Sequence, residues 1–225
     1  MKNLNEYLNE GLIRRQAGMD MKAKIGEWCE KWEVKGWKIN PDLTIDSTFL
    51  WISDYPDEQF PDYIQFNRVK HSVNVLNSNI KNLKGFPKKC NDMYFDDCDK
   101  LESLEGTVPM TCGKLDITDC KNVRSLKGMP HVNHVLNISG SGVESLKDCN
   151  CVPAMLTFNC SNCKNLKSLK GIPTQVESLN ISGCTSLTID ALPKKITREL
   201  VAFGMGLTEK SLIDKCKELG CDIGN

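Results

Sequence analysis

The chain has 225 residues, and its 29 lysines and arginines balance 29 aspartates and glutamates, so the formal net charge is zero. That balance argues against a generic binder of nucleic acid or of an anionic membrane, both of which draw on net positive charge. The apolar stretches fall far short of the ~18 residues a membrane span needs, and Glu6, Glu10, Arg14 and Arg15 stand where a secretory signal would carry an apolar run.

Residues 1–18 read as a short tail. Leu4, Leu8 and Leu12 are spaced for a brief amphipathic helix, which Gly11 and Gly18 weaken. A helix is expected over about Asp20 to Val34, with Ile25, Cys29 and Trp32 on one face, Trp28 beside them and Gly36 as its stop. Residues 19–42 thus form an amino-terminal helical cap whose tryptophans belong to the core. Trp37 to Ile39 and Leu43 to Ile45 alternate like strands around an Asn40-Pro41-Asp42 turn.

From residue 43 to 207 a unit of twenty to twenty-three residues recurs seven times, with a degenerate copy at its start. The clearest copies begin at Met93 and Leu115 and share the frame L-x-I-x-x-C-x-x-L-x-S-L-x-G-x-P. A fixed period of this length means stacked coils. Strands are expected near Leu50–Ile52, Val73–Val75, Met93–Phe95, Leu115–Ile117, Leu136–Ile138, Leu156–Phe158, Leu179–Ile181 and Leu200–Ala202, alternate residues pointing inward. Gly85, Gly106, Gly128 and Gly171 mark turns, and Pro87, Pro109, Pro130, Pro173 and Pro193 mark extended returns. About ten residues remain for the outer side of each coil, too few for a good helix, so that side should be extended or turn-like. The Leu156 coil carries two extra residues, which predicts a bulge in the sheet there. Residues 208–225 form a second cap: Thr208 N-caps a helix over Glu209 to Leu219 that Gly220 ends.

The twelve cysteines follow the repeat. Cys98, Cys120, Cys163 and Cys184 each precede an apolar residue by three, so they occupy one structural row as small buried groups with a weak S–H donor. In the two-residue-longer coil the row member could be Cys160 or Cys163. Ser141 replaces the cysteine in a coil one residue short. This regularity points to reduced thiols in a cytoplasmic setting and not to a disulfide framework.

Three chemical candidates stand out. Cys160-Ser-Asn-Cys163 is a CxxC pair, but no helix start is expected there to acidify a thiol. His131-Val-Asn-His134 and Cys149-Asn-Cys151 fall at matching places in neighbouring coils, with His131 level with Cys151, and zinc is the metal such a set would take. The expectation adopted is nonetheless no metal, no cofactor and no catalytic residue. The third is the inner sheet face, the expected binding surface: Asn74, Tyr94, Asp96, Asp116, Thr118, Asn137, Ser139, Thr157, Asn159, Asn180 and Ser182. It is short and polar, with an acidic cluster of Asp96, Asp97, Asp116 and Asp119 suited to a basic segment. Lys84, Lys127, Lys147 and Lys170 form a basic edge elsewhere.

The L-x-I-x-x-C-x-x-L frame resembles leucine-rich repeats, in which asparagine is commoner at the cysteine position. The S-L-x-G-x-P variant, and Trp37 to Asp46 before it, resemble leucine-rich-repeat proteins of gut bacteria and their tailed phages. The resemblance implies an α/β repeat: a right-handed solenoid with a concave parallel β-sheet, an extended or turn-like convex side and helical caps at both ends. It also implies a non-enzymatic surface for another protein or peptide; the chain is expected to be a monomer, and its charge balance argues for no nucleic acid or membrane partner. Met1 to Gly11 resemble the capsid-targeting peptide of internal phage head proteins, whose cleavage site would be Glu10/Gly11. A packaged protein of the virion interior is therefore the alternative, and a thiol or zinc enzyme the third.

Overall fold

The structure, a computed structural model, describes residues 4–106 and 110–224. Met1 to Asn3 of the expected targeting peptide and Pro109 lie outside the described residues, as do the side chains of Leu4, Leu8 and Leu12. In chain order the elements are α1 (Leu4–Lys31), β1 (Lys38–Ile39), β2 (Ile45–Ser47), β3 (Leu50–Ser53), β4 (Phe66–Val69), β5 (Ser72–Leu76), β6 (Asp92–Asp96), β7 (Thr111–Asp116), β8 (His131–Asn137), β9 (Ala154–Asn159), β10 (Gln175–Asn180), β11 (Lys195–Val201), α2 (Glu209–Glu218) and β12 (Asp222–Ile223). Strands β3, β5 to β11 and β12 form one nine-stranded sheet, in the order β12-β11-β10-β9-β8-β7-β6-β5-β3. Every pairing in it is parallel, which makes the body a parallel β-solenoid of about seven turns.

Alternation along each strand builds the core. Leu115, Leu136, Phe158 and Leu179 share one register row, and Ile117, Ile138, Cys160 and Ile181 lie two residues further on; all are fully buried. No single coil can enclose such a row, so burial against the next coil holds the array together, at ~25 cal/mol per Å² of apolar surface.

A sharp corner ends each strand, and its cause is local. Asp54, Asn77, Asp97, Asp119, Asn162, Gly140, Gly183 and Gly204 hold equivalent places and all have positive φ, between 46° and 70°. Aspartate, asparagine and glycine are the residues that tolerate this left-handed region. On the outer side Gly85, Gly128 and Gly171 also turn with positive φ. A second, narrower ladder runs beside the main sheet. Strand β1 pairs with β2, β2 with β4, and single bridges continue it through Arg68–Lys89, Lys89–Thr111 and Val132–Cys151.

Two expectations need correction here. The tail and the first helix are one element: α1 runs unbroken through Gly11 and Gly18 and ends at Lys31, before Glu33 turns left-handed at φ 48°. In its first half residues 13–17 are exposed, and a Cβ at Gly18 would meet nothing within 4 Å, so glycine there costs only propensity. The expected cleavage site, Glu10/Gly11, therefore lies within helical backbone. Its second half packs: Ile25, Trp28 and Cys29 are buried, and the Trp28 ring meets Tyr55, Phe60 and Phe66 at 5.2–6.3 Å.

The second correction concerns β9. Thr157 pairs with Val135 and Phe158 with Leu136 with no break, while the register shifts of the sheet fall at Cys112/Lys114 and Val176/Ser178. The extra residues are taken up between Cys151 (bridged to Val132) and Thr157 (paired with Val135), where six steps face three of β8, so the expected irregularity is present and only the register beyond it differs from expectation. Phe158 fills the core row and Leu156 is 47% exposed. Burying the phenylalanine decides the phase, and the surplus is pushed to where the backbone is free.

At the carboxyl end Thr208 accepts the Ser211 N–H at 3.1 Å, α2 buries Cys216, and Gly220 follows with φ 66°. No helix among the described residues is long and apolar enough to cross a membrane.

Candidate functional site

Parallel register turns single residues into columns. Trp51, Asn74, Tyr94, Asp116, Asn137, Asn159, Asn180 and Val201 stand side by side on the outward face of the sheet, one per strand, at spacings of ~4.8 Å. Two residues further along each strand come Ser53, Leu76, Asp96, Thr118, Ser139, Ser161, Ser182 and Phe203. On the other side lie Ser72, Asp92, Lys114, Val135, Thr157, Ser178 and Glu199. Every residue expected on the outward face of the sheet is on it. Thr157 belongs to the flanking column, as the β9 register requires.

The middle of this trough is tied down by its own side chains. Asp116 accepts the Thr118 N–H at 3.2 Å and hydroxyl at 2.6 Å, the Asn137 amide at 3.0 Å, and faces the Lys114 ammonium at 3.1 Å. Asn137, Asn159 and Asn180 each accept the N–H of the residue two further on, Ser139, Ser161 and Ser182, at 3.0–3.2 Å. These short polar groups satisfy backbone donors that the corner takes out of the ladder. Burial works to raise the Asp116 pKa, but its hydrogen bonds from Thr118 and Asn137 and the Lys114 charge outweigh it and hold the carboxyl below its ordinary value.

The expected acidic cluster is accordingly smaller than its composition. Asp116 is neutralised by Lys114, and Asp97 and Asp119 are corner residues. Asp96 remains exposed with no ion pair among the described residues, and Asp92 lies half-exposed near Tyr94. The basic edge is likewise part-quenched: Lys127 pairs with Glu105 at 2.9 Å and Lys170 with Asp190 at 3.5 Å.

At the amino-terminal end of the trough the surface changes. A cleft of about 820 Å³ is lined by Trp32, Phe49, Trp51 and Tyr94, together with Lys31, Glu33, Lys35, Ser53, Ser72, Asn74 and Asp92. It adjoins a second space of about 360 Å³ bounded by Trp51, Asn74, Tyr94, Asp96, Asp116 and Thr118. Trp51 is 63% exposed and Phe49 42%. Sequence reasoning missed this aromatic wall because the first coil is degenerate. The signal was present: Trp51 lies between the inward Leu50 and Ile52, so period two aims it out.

The cysteine row is built as expected, and the structure resolves its chemistry. Cys98, Cys120, Cys163 and Cys184 are buried and unbridged. Each thiol donates to a carbonyl of the preceding coil: Cys98 to Val75, Cys120 to Phe95, Cys163 to Ile138 and Cys184 to Cys160, at 3.5, 4.0, 2.9 and 2.9 Å. Ser78 and Ser141 hold the same place in the two coils shortened just after it. Cys163 is the row member in its coil, and Cys160 takes the isoleucine slot. Burial pushes Cys98 up to about 11 and Cys163 up to about 12, the opposite of what thiolate chemistry at the CxxC pair needs.

The histidine and cysteine set does not converge. Cys151 bridges Val132, and His131 sits beside Asn150, its Nδ1 3.0 Å from the amide oxygen, so the matching of His131 with Cys151 is off by one residue. Cys149 and Cys151 lie 3.5 Å apart, sulfur to sulfur. No group of three or more metal-ligating side chains occurs among the described residues. Comparison of the chain with protein-family models, curated proteins and solved structures finds no match.

Proposed function

We propose that this chain is an interaction scaffold of the leucine-rich-repeat type, helical segments closing both ends of the solenoid, that lays a protein or peptide segment along its concave trough. One observation carries the reading: Trp51 and Tyr94 share a register column with a floor of short polar residues, and both open into adjoining clefts. Tryptophan and tyrosine supply the anchors of protein interfaces, and short Asn, Ser and Thr side chains leave room for an extended backbone. The clefts fall in the size range of ligand sites, roughly 300–1,000 Å³.

The test is a pull-down from the cells in which the protein naturally occurs, comparing wild type with Asn159→Arg, which blocks the trough, and Lys147→Glu, which alters the edge. The partner should be lost with the first and kept with the second. Retention by a well-folded Asn159→Arg protein would end the reading.

A further inference from the structure

We infer that the amino-terminal end of the trough is a subsite for an arginine side chain, with Trp51 as its stacking platform. This deepens the trough reading and rests on it. Four rings line this region, and two already carry a cation from the chain itself. Lys31 lies 5.3 Å over the Trp32 ring, and Lys114 lies 4.6 Å over the Tyr94 ring. Phe49 is stacked on His71 at 4.8 Å. Trp51 is the remaining aromatic, 63% exposed, with no ring or cation partner among the described residues. Its indole N–H donates to Ser53 at 3.2 Å, which holds the ring in place.

Carboxylates bound the space in front of it. Asp92 shares the larger cleft with Trp51, and Asp96 shares the smaller one. The cations nearby are largely committed: Lys114 to Asp116 at 3.1 Å and Lys35 to Glu33 at 3.4 Å. A cationic side chain entering here meets an electron-rich face and an uncommitted carboxylate together. Arginine fits better than lysine, because a planar guanidinium stacks on the indole and offers its N–H fork to Asp96.

The experiment is a selection of random short displayed peptides on the full-length protein, followed by affinity measurement of one selected peptide. Wild type should enrich peptides with an arginine. Replacing that arginine by citrulline, which keeps the plane and removes the charge, should weaken binding about three- to thirtyfold. Trp51→Ala and Asp96→Asn, both at exposed positions, should each abolish the preference for arginine over citrulline, with circular dichroism unchanged. Enrichment of peptides lacking arginine, or an arginine preference that survives Trp51→Ala, would overturn the subsite and leave the trough reading intact. Failure of wild type to enrich any peptide would overturn both, as would Trp51-dependent capture of neutral oligosaccharides on an array in place of peptides.

Discussion

Replacing Cys163 tests whether the cysteine row is a hydrogen-bonded ladder or only a packing stripe. Its thiol is fully buried and donates to the Ile138 carbonyl at 2.9 Å, an oxygen that also accepts the Ser141 N–H at 3.1 Å. Cys163→Ala removes the sulfur and the donor. Losing about one methylene-sized group costs roughly 0.8 kcal/mol before any cavity term, and losing the bond costs about 0.5–1.5 kcal/mol, so about 2 kcal/mol in all. Cys163→Ser loses similar volume but keeps a donor, and should be more stable than the alanine variant by about 1 kcal/mol. Cys112 supplies the control, because it is buried with no hydrogen-bond partner among the described residues. There the unpaired hydroxyl should make serine the worse replacement. Urea melts followed by both circular dichroism and tryptophan fluorescence would report the differences and any loss of two-state behaviour. An alanine at 163 as stable as serine would refute the ladder, whatever happens at 112.

Other outcomes follow from the same geometry. At pH 8, iodoacetamide should label at most the three half-exposed cysteines, Cys149, Cys151 and Cys221, of twelve in the native protein; rapid labelling of Cys98 or Cys163, counted by mass spectrometry, would contradict their burial. Gly171→Ala should cost about 2 kcal/mol or more, because φ is 100° and a Cβ would strike the Leu146 carbonyl; an unchanged melting temperature would show that the turn relaxes. The lowered Asp116 pKa contributes stability that is complete above the unfolded value near 3.9 and is lost as pH falls through the lower folded value. Asp116→Asn should therefore flatten part of the acid side of the stability–pH curve, and a curve identical to wild type would mean the carboxylate is not coupled to folding.

Much of the architecture was readable from residue spacing, and the misses have physical causes. The buried rows through Leu115 and Ile117, the thiol row and the Thr208 cap follow from period and residue type, which few competing contacts override. The β9 phase was misread because Leu156 and Phe158 are both apolar, and only cross-strand packing on Leu136 chooses between them. The continuity of α1 was missed because glycine propensity is weak beside a helix already anchored at Trp28. Asp97 and Asp119 looked like a charge cluster, whereas their recurrence just before the cysteine was the signature of a left-handed corner. The outward sheet face was legible as a row of small polar residues; its aromatic end was not, because it needs Trp32, Phe49, Trp51 and Tyr94 gathered from three segments.

The four row thiols each reach from one rung back to a carbonyl of the rung before it, whereas Cys160, outside the row, reaches forward to the Asn180 carbonyl. During synthesis the acceptor of each row bond is thus made before its donor leaves the ribosome. A chain halted midway thus holds a complete set of row bonds, while a fragment lacking its first rungs begins with a row donor that has nothing to reach for.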